Sequence, residues 1–258
     1  MDNYINLVLR YYDLVYILTI KEFKVRYKSS FLGYLWSIAN PLSYALILSF
    51  AIKSVFKVNI DNYGLFLITA LFPWQWFFNS VGSSTGIFLA NVNLIKKLNF
   101  PKSVLVFSFV VQDTIHFILS LPIIASFVFY YNGKLYSSWI YGIPILIVIQ
   151  FIFTLGLSLI ISSINVFFRD LERMVMLFLN FLFYISPIFY SKDMIPENLK
   201  QFLFLNPLIW LIECWRNLFM KGILNWNNVL ISLIYGIISI LLGILIYNRL
   251  KYKFAEVL

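Results

Sequence analysis

Gln112, Asp113 and His116 bring an amide, a carboxylate and an imidazole together inside a long apolar run. Gln112 and His116 stand at i,i+4 and Asp113 and His116 at i,i+3, so on a helix they share one side. At mid-membrane depth such groups face protein or water rather than lipid. They read as a polar strip along a wet pathway or as an interhelical hydrogen-bonded contact that fixes packing. A proton relay would need more acids than Asp113, which stands alone among the apolar runs. Asp170 and Glu172 have the nearest spacing to a metal-dependent glycosyltransferase pair, but Arg169 and Arg173 flank and neutralise them. A single cysteine, Cys214, excludes an intrachain disulfide, and with one histidine it makes a zinc or iron–sulfur centre within one chain implausible. The Gly-Lys pair Gly133-Lys134 has no glycine five residues before it, so no phosphate-binding loop is present. These residues bind no cofactor of their own, and the chain shows no energy source.

The aromatic residues suggest a different chemistry. Phe72, Trp74, Trp76 and Phe77 crowd around Pro73, and Phe181 and Tyr184 belong to a second run that includes Phe178, Phe183, Phe189 and Tyr190. Lipid-facing bulk and interfacial belts explain many of them. Aromatic faces also stack on sugar rings, so the same residues suit the wall of a path for a repeating glycan.

The elements that must position these groups are membrane helices. Hydrophobic residues make up 61% of the 258 positions and charged residues 12%, and a soluble domain of this size could not hide that apolar surface. The net charge of +9 is spread over short connections, which sets membrane orientation and does not point to nucleic acid. The first ten residues lack the pattern of a cleavable signal peptide. The apolar runs are continuous rather than alternating, so helices are expected and not a β-barrel. Six spans are expected, over 30–54, 63–90, 103–131, 140–164, 172–190 and 228–248. With both termini cytoplasmic, Lys53, Lys57, Lys134, Lys192, Lys200, Arg216 and Lys221 are the bases left outside, which satisfies the positive-inside rule. The apolar stretch 199–212 is too short to cross. As a crossing it would move Arg249, Lys251 and Lys253 outside and weaken the bias. A re-entrant pair of helices hinged at Asn206-Pro207, within about 194–224, is expected instead.

Residues 1–29 are expected to form an amphipathic helix in the cytoplasmic interface, with Lys21, Lys24, Arg26 and Lys28 toward lipid headgroups. Residues 30–258 form one transmembrane domain. Between the second and third spans, residues 91–101 read as a short helix capped by Asn91 and stopped at Pro101. Leu94, Ile95 and Leu98 recur there at helical spacing, beside Lys96 and Lys97. This is either a docking knob for a cytoplasmic partner or a plain connecting turn. In the other inner turn, Asp170 either caps the fifth span or joins Arg169 and Arg173 in a second contact.

Taken in order, RYKSSFLGYLWSIANPL (26–42), FPWQWFFNS (72–80), NLIKKLNFP (93–101), VFFRDLERM (166–174), ISPIFY (185–190), Asn206-Pro207 and Arg216 resemble the permease subunits of ABC-2 type polysaccharide exporters. The resemblance covers almost the whole chain and is greatest to O-antigen permeases of the Wzm type and the related teichoic acid permeases. It implies an all-α fold with six transmembrane helices, a homodimer in the cytoplasmic (inner) membrane, and two copies of a separate Wzt-like ATPase that bind ATP and magnesium. It also implies a polysaccharide cargo on undecaprenyl pyrophosphate, a coupling role for 91–101 and a secondary contact for Arg169–Arg173. Teichoic acid or capsule export remains an alternative. So does an ABC-2 permease for a small hydrophobic drug or lipid, which would use a dry lateral cavity. A membrane glycosyltransferase would need clustered acids that the chain lacks.

Overall fold

A computed structural model describes residues 2–27, 33–51, 60, 62–200 and 206–254. These residues are helices joined by turns, with no strand among them. In chain order the helices are α1 (Asp2–Tyr27), α2 (Trp36–Phe50), α3 (Tyr63–Ser84), α4 (Ile87–Ala90), α5 (Val92–Lys97), α6 (Ser103–Asn132), α7 (Trp139–Asn165), α8 (Leu171–Ile185), α9 (Glu197–Lys200), α10 (Pro207–Lys221) and α11 (Trp226–Leu250). Among the described residues, three stretches are long and apolar enough to cross a membrane: Ser103–Asn132, Trp139–Asn165 and Trp226–Lys253.

The helix ends follow local chemistry. The expected span 63–90 stops at Ser84. There the hydroxyls of Ser84 and Thr85 donate back to the carbonyls of Val81 and Gly82, at 2.8 and 2.9 Å, which competes with the helical ladder just before Gly86. The expected span 172–190 stops at Ile185 because Ser186 precedes Pro187 and is driven extended, with ψ 142°. Asn206 starts α10: its side-chain oxygen accepts from the Leu208 amide at 3.1 Å, and Pro207 occupies the first turn, where its missing N–H costs nothing. Gly222 ends α10 at φ +68°, with the Tyr136 ring packed where a Cβ would stand. Asn225 then caps α11.

α6 is the most enclosed of the three long helices, with 61% of its apolar window buried, against 28% for α11. α11 therefore lies at the rim, fastened along α7 by small residues. The backbone of Gly156 fills the place of a Gly243 Cβ, and Ser239 donates to the Phe153 carbonyl at 2.9 Å. α10 packs against α3, α6, α7 and α11 and buries Leu208, Ile209, Leu211, Trp215 and Phe219. An aromatic column crosses this core. Trp76 stacks on Phe117 at 4.9 Å, Phe117 meets Trp215 edge-on at 5.0 Å, and Trp215 stacks on Phe219 at 5.3 Å. Gln150 ties the column to α3, accepting from the Trp215 indole at 2.6 Å and donating to the Pro73 carbonyl at 2.8 Å.

A second apolar cluster lies where the middle of α1 meets α4, α5, α6 and the terminal turn after α11. Leu18, Phe88, Ile95, Tyr247 and Phe254 are buried together there.

Candidate functional site

The docking candidates expected from the sequence lie at α5 and at the start of α8. α5 spans Val92–Lys97, shorter than the expected 91–101, because Leu98 turns extended ahead of Pro101. Asn91 stands at its start but makes no capping bond. Its side chain instead accepts from the Lys21 ammonium at 2.5 Å and donates to the Ile87 carbonyl at 2.9 Å. The three apolar residues of the expected knob divide. Ile95 is only 7% exposed and packs inward, Leu94 is partly buried beside it, and Leu98 is 55% exposed. Lys96 and Lys97 are exposed. At the start of α8, Arg169, Asp170, Glu172 and Arg173 are exposed, and none forms an ion pair with another described residue. Asp170 makes no side-chain cap, so only its backbone carbonyl supports the first turn.

α1 holds the cations expected at headgroups. Lys21 binds Glu22 and Asn91, and Lys24 borders a shallow recess with Ile17, Ile20 and Val25. Lys28 lies outside the described residues. Arg26 departs from the expectation. Its guanidinium pairs with the Asp113 carboxylate at 2.5 Å and sits over the Phe109 ring at 5.3 Å. The other Asp113 oxygen accepts from Ser80 at 2.8 Å. Asp113 is 2% exposed and the Arg26 side chain 27%. Spacing along the chain assigns Asp113 no cationic partner, because Arg26 lies on another helix, 87 residues away. Of its polar neighbours, His116 packs on Phe23 at 4.8 Å. Gln112 is buried with no hydrogen-bond partner among the described residues.

The six aromatics expected along one path occupy three places. Phe72 and Trp76 wall a cavity of about 420 Å³. α3 also gives it Gln75, Asn79 and Ser83, α6 gives Asp113, His116, Phe117 and Ser120, and α1 and α2 give Arg26, Trp36 and Asn40. Trp74 and Tyr184 wall a narrower slot of about 150 Å³ between α2, α3 and α8, with Tyr44, Phe78, Phe183 and the amides Gln75 and Asn180. Phe77 and Phe181 border an apolar groove of about 790 Å³ along α8, among Val81, Leu157, Met174 and Leu182. Phe77 is packed face to face with Phe153 at 5.6 Å, so its role there is structural.

Gln75, Asn79 and Ser83 carry no sequence signal beyond their i,i+4 spacing, which is too common to mark a site. They continue the stripe begun by Phe72 and Trp76 along one face of α3. Rings beside side-chain amides can stack on and hydrogen-bond a polyhydroxylated ligand. Among the described residues, no three His, Cys, Asp or Glu side chains are grouped to hold a metal ion.

Comparison with known proteins bears on this arrangement. The model of the ABC-2 type transporter family matches residues 13–220. An O-antigen export system permease protein, RfbA of Klebsiella pneumoniae, is 50% identical over 247 residues, covering 96% of this chain and 95% of the relative. RfbA of Myxococcus xanthus is 32% identical, covering 96% of each. The polysialic acid transport protein KpsM of Escherichia coli is 22% identical over 90% of this chain and 91% of its own. A multi-helix chain that lacks a phosphate-binding loop and aligns over nearly its whole length with such permeases belongs to the ABC-2 type transporter family.

Proposed function

We propose that this chain is the membrane permease subunit of an O-antigen exporter and moves lipid-linked polysaccharide across the cytoplasmic membrane. The observation that carries this is the 50% identity to an O-antigen export permease over nearly the full length of both chains. ATP and magnesium bind a separate ATPase subunit, two copies of which serve a homodimer of this chain. The carrier is undecaprenyl pyrophosphate.

In this reading 30–258 is one transmembrane domain crossing six times through α2, α3, α6, α7, α8 and α11, with both termini cytoplasmic. α1 lies in the inner interface. α10, at 15 residues, is about 22 Å long and too short to cross a core of about 30 Å. With α9 it forms the re-entrant segment on the outer side. Leu98, Lys96 and Lys97 meet the ATPase, Leu94 and Ile95 seat the coupling helix from behind, and Arg169, Asp170 and Arg173 make the secondary contact. The glycan runs along the slot walled by Trp74 and Tyr184.

The apolar groove along α8 supports a second reading, transport of a small hydrophobic molecule or lipid. Deleting the gene from its host separates the two. Polysaccharide export requires that surface O-antigen vanish while undecaprenyl-linked polymer accumulates inside, with both reversed by the restored gene. Unchanged surface polymer in the deletion strain would overturn the proposal.

A further inference from the structure

We propose that the cavity enclosed by α1, α2, α3 and α6 binds a neutral sugar unit of the transported polymer, as a site separate from the aromatic slot at α8. This rests on the export reading and adds a second, chemically distinct contact to it.

Charge decides the ligand class. The cavity wall holds both a guanidinium and a carboxylate, but Arg26 closes on Asp113, and Ser80 satisfies the second carboxylate oxygen. An anion entering here would meet the carboxylate beside the guanidinium, and a cation the guanidinium beside the carboxylate, so the closed pair offers neither charge a net attraction. A hydroxyl can donate to one and accept from the other. A neutral polyol is therefore the ligand the pair tolerates best, and the phosphate groups of a carrier lipid are disfavoured.

The remaining wall matches that ligand. Gln75 donates to the Asn79 oxygen at 2.8 Å, which leaves the Gln75 carbonyl and the Asn79 amide hydrogens for other partners. The Trp76 indole N–H is buried without a partner among the described residues. Trp36, about half exposed, supplies an open ring at the rim. A volume of about 420 Å³ falls in the usual range for small-molecule sites, roughly 300–1,000 Å³, and accommodates a sugar ring with part of its neighbour. Gln75 borders both this cavity and the slot at α8, so the two contacts adjoin across one turn of α3.

The test is photocrosslinking in the intact transporter of an actively exporting host. Benzoylphenylalanine replaces Trp36 in the cavity wall, Tyr184 in the slot, or Leu230 on the exposed side of α11. Irradiation should attach polymer, detected by serum against the host polysaccharide, at positions 36 and 184 but not at 230. Gln75→Leu and Asn79→Leu should each lower export about fivefold, the scale of one lost hydrogen bond, with the ATPase still bound. An adduct at 184 with none at 36 would overturn the cavity site and leave the export reading standing. Adducts at neither position would overturn both.

Discussion

Removing Arg26 should damage the protein more than removing Asp113, because the two ends of their ion pair are buried to different depths. Arg26→Ala leaves a carboxylate that is 2% exposed with only the Ser80 hydroxyl beside it. Breaking a buried pair from one side costs about 3–5 kcal/mol, and this variant belongs in that range. Asp113→Ala leaves a guanidinium that is 27% exposed, keeps the Phe109 ring at 5.3 Å and can turn toward water. Its cost should be about 1–2 kcal/mol. The gap of about 2 kcal/mol corresponds to roughly 4–8 °C in thermal midpoint by the scaling of soluble domains of similar size. Replacing both residues with leucine removes both charges at once and should recover most of the loss. Midpoints would be measured on the detergent-purified complex by fluorescence-detected size exclusion after heating. Equal shifts from the two single variants, or a double variant with the summed loss, would refute a buried and coupled pair.

Other outcomes follow from the same geometry. Leu98→Asp should lose ATPase co-purification in a stable permease, whereas Ile95→Asp should lower the permease yield itself, since Ile95 packs inward. Gly243→Leu should separate α11 from α7 and cut folded yield severely, read as the monodisperse fraction after purification. Trp76→Ala should cost about 3–5 kcal/mol of stability because its ring is core, while Tyr184→Ala, at 66% exposure, should slow export without loss of assembly. After Cys214→Ser, cysteine at Met194 or Ile223 should react with an impermeant thiol reagent from outside and cysteine at Tyr252 should not; these three positions are exposed in the fold. Labelling of position 252 from outside would make 199–212 a crossing.

Much of this was legible in the residues. The long apolar runs place α6, α7 and α11 almost to the residue, and Asn206-Pro207 marks the start of α10 because a capping amide and an N1 proline are local signals. The break after Ser84 is not legible in the sequence, since serine and threonine sit inside an apolar run without ending it until their hydroxyls turn back on the helix. Spacing put Leu94, Ile95 and Leu98 on one helix but could not say on which side the rest of the protein lay. Spacing alone therefore makes Ile95 part of an exposed knob. Arg26 reads as a headgroup contact because sequence gives approximate depth and not a partner on another helix. The aromatics are the reverse case. Positions 72 and 76, 74 and 78, and 77 and 81 fall on three faces of α3 by helical arithmetic alone, and the cavity, the slot and the groove follow that division.

The most direct measurement is ATP-driven uptake of polymer into inverted membrane vesicles containing this chain and its ATPase partner. Undecaprenyl-linked O-antigen is presented outside, and the fraction protected from an added glycosidase is followed with time. Protection should rise with ATP, require both subunits and fall when Tyr184 is replaced by alanine. Steady ATP hydrolysis with no protected polymer, or equal protection in vesicles lacking this chain, would contradict polysaccharide export by this permease.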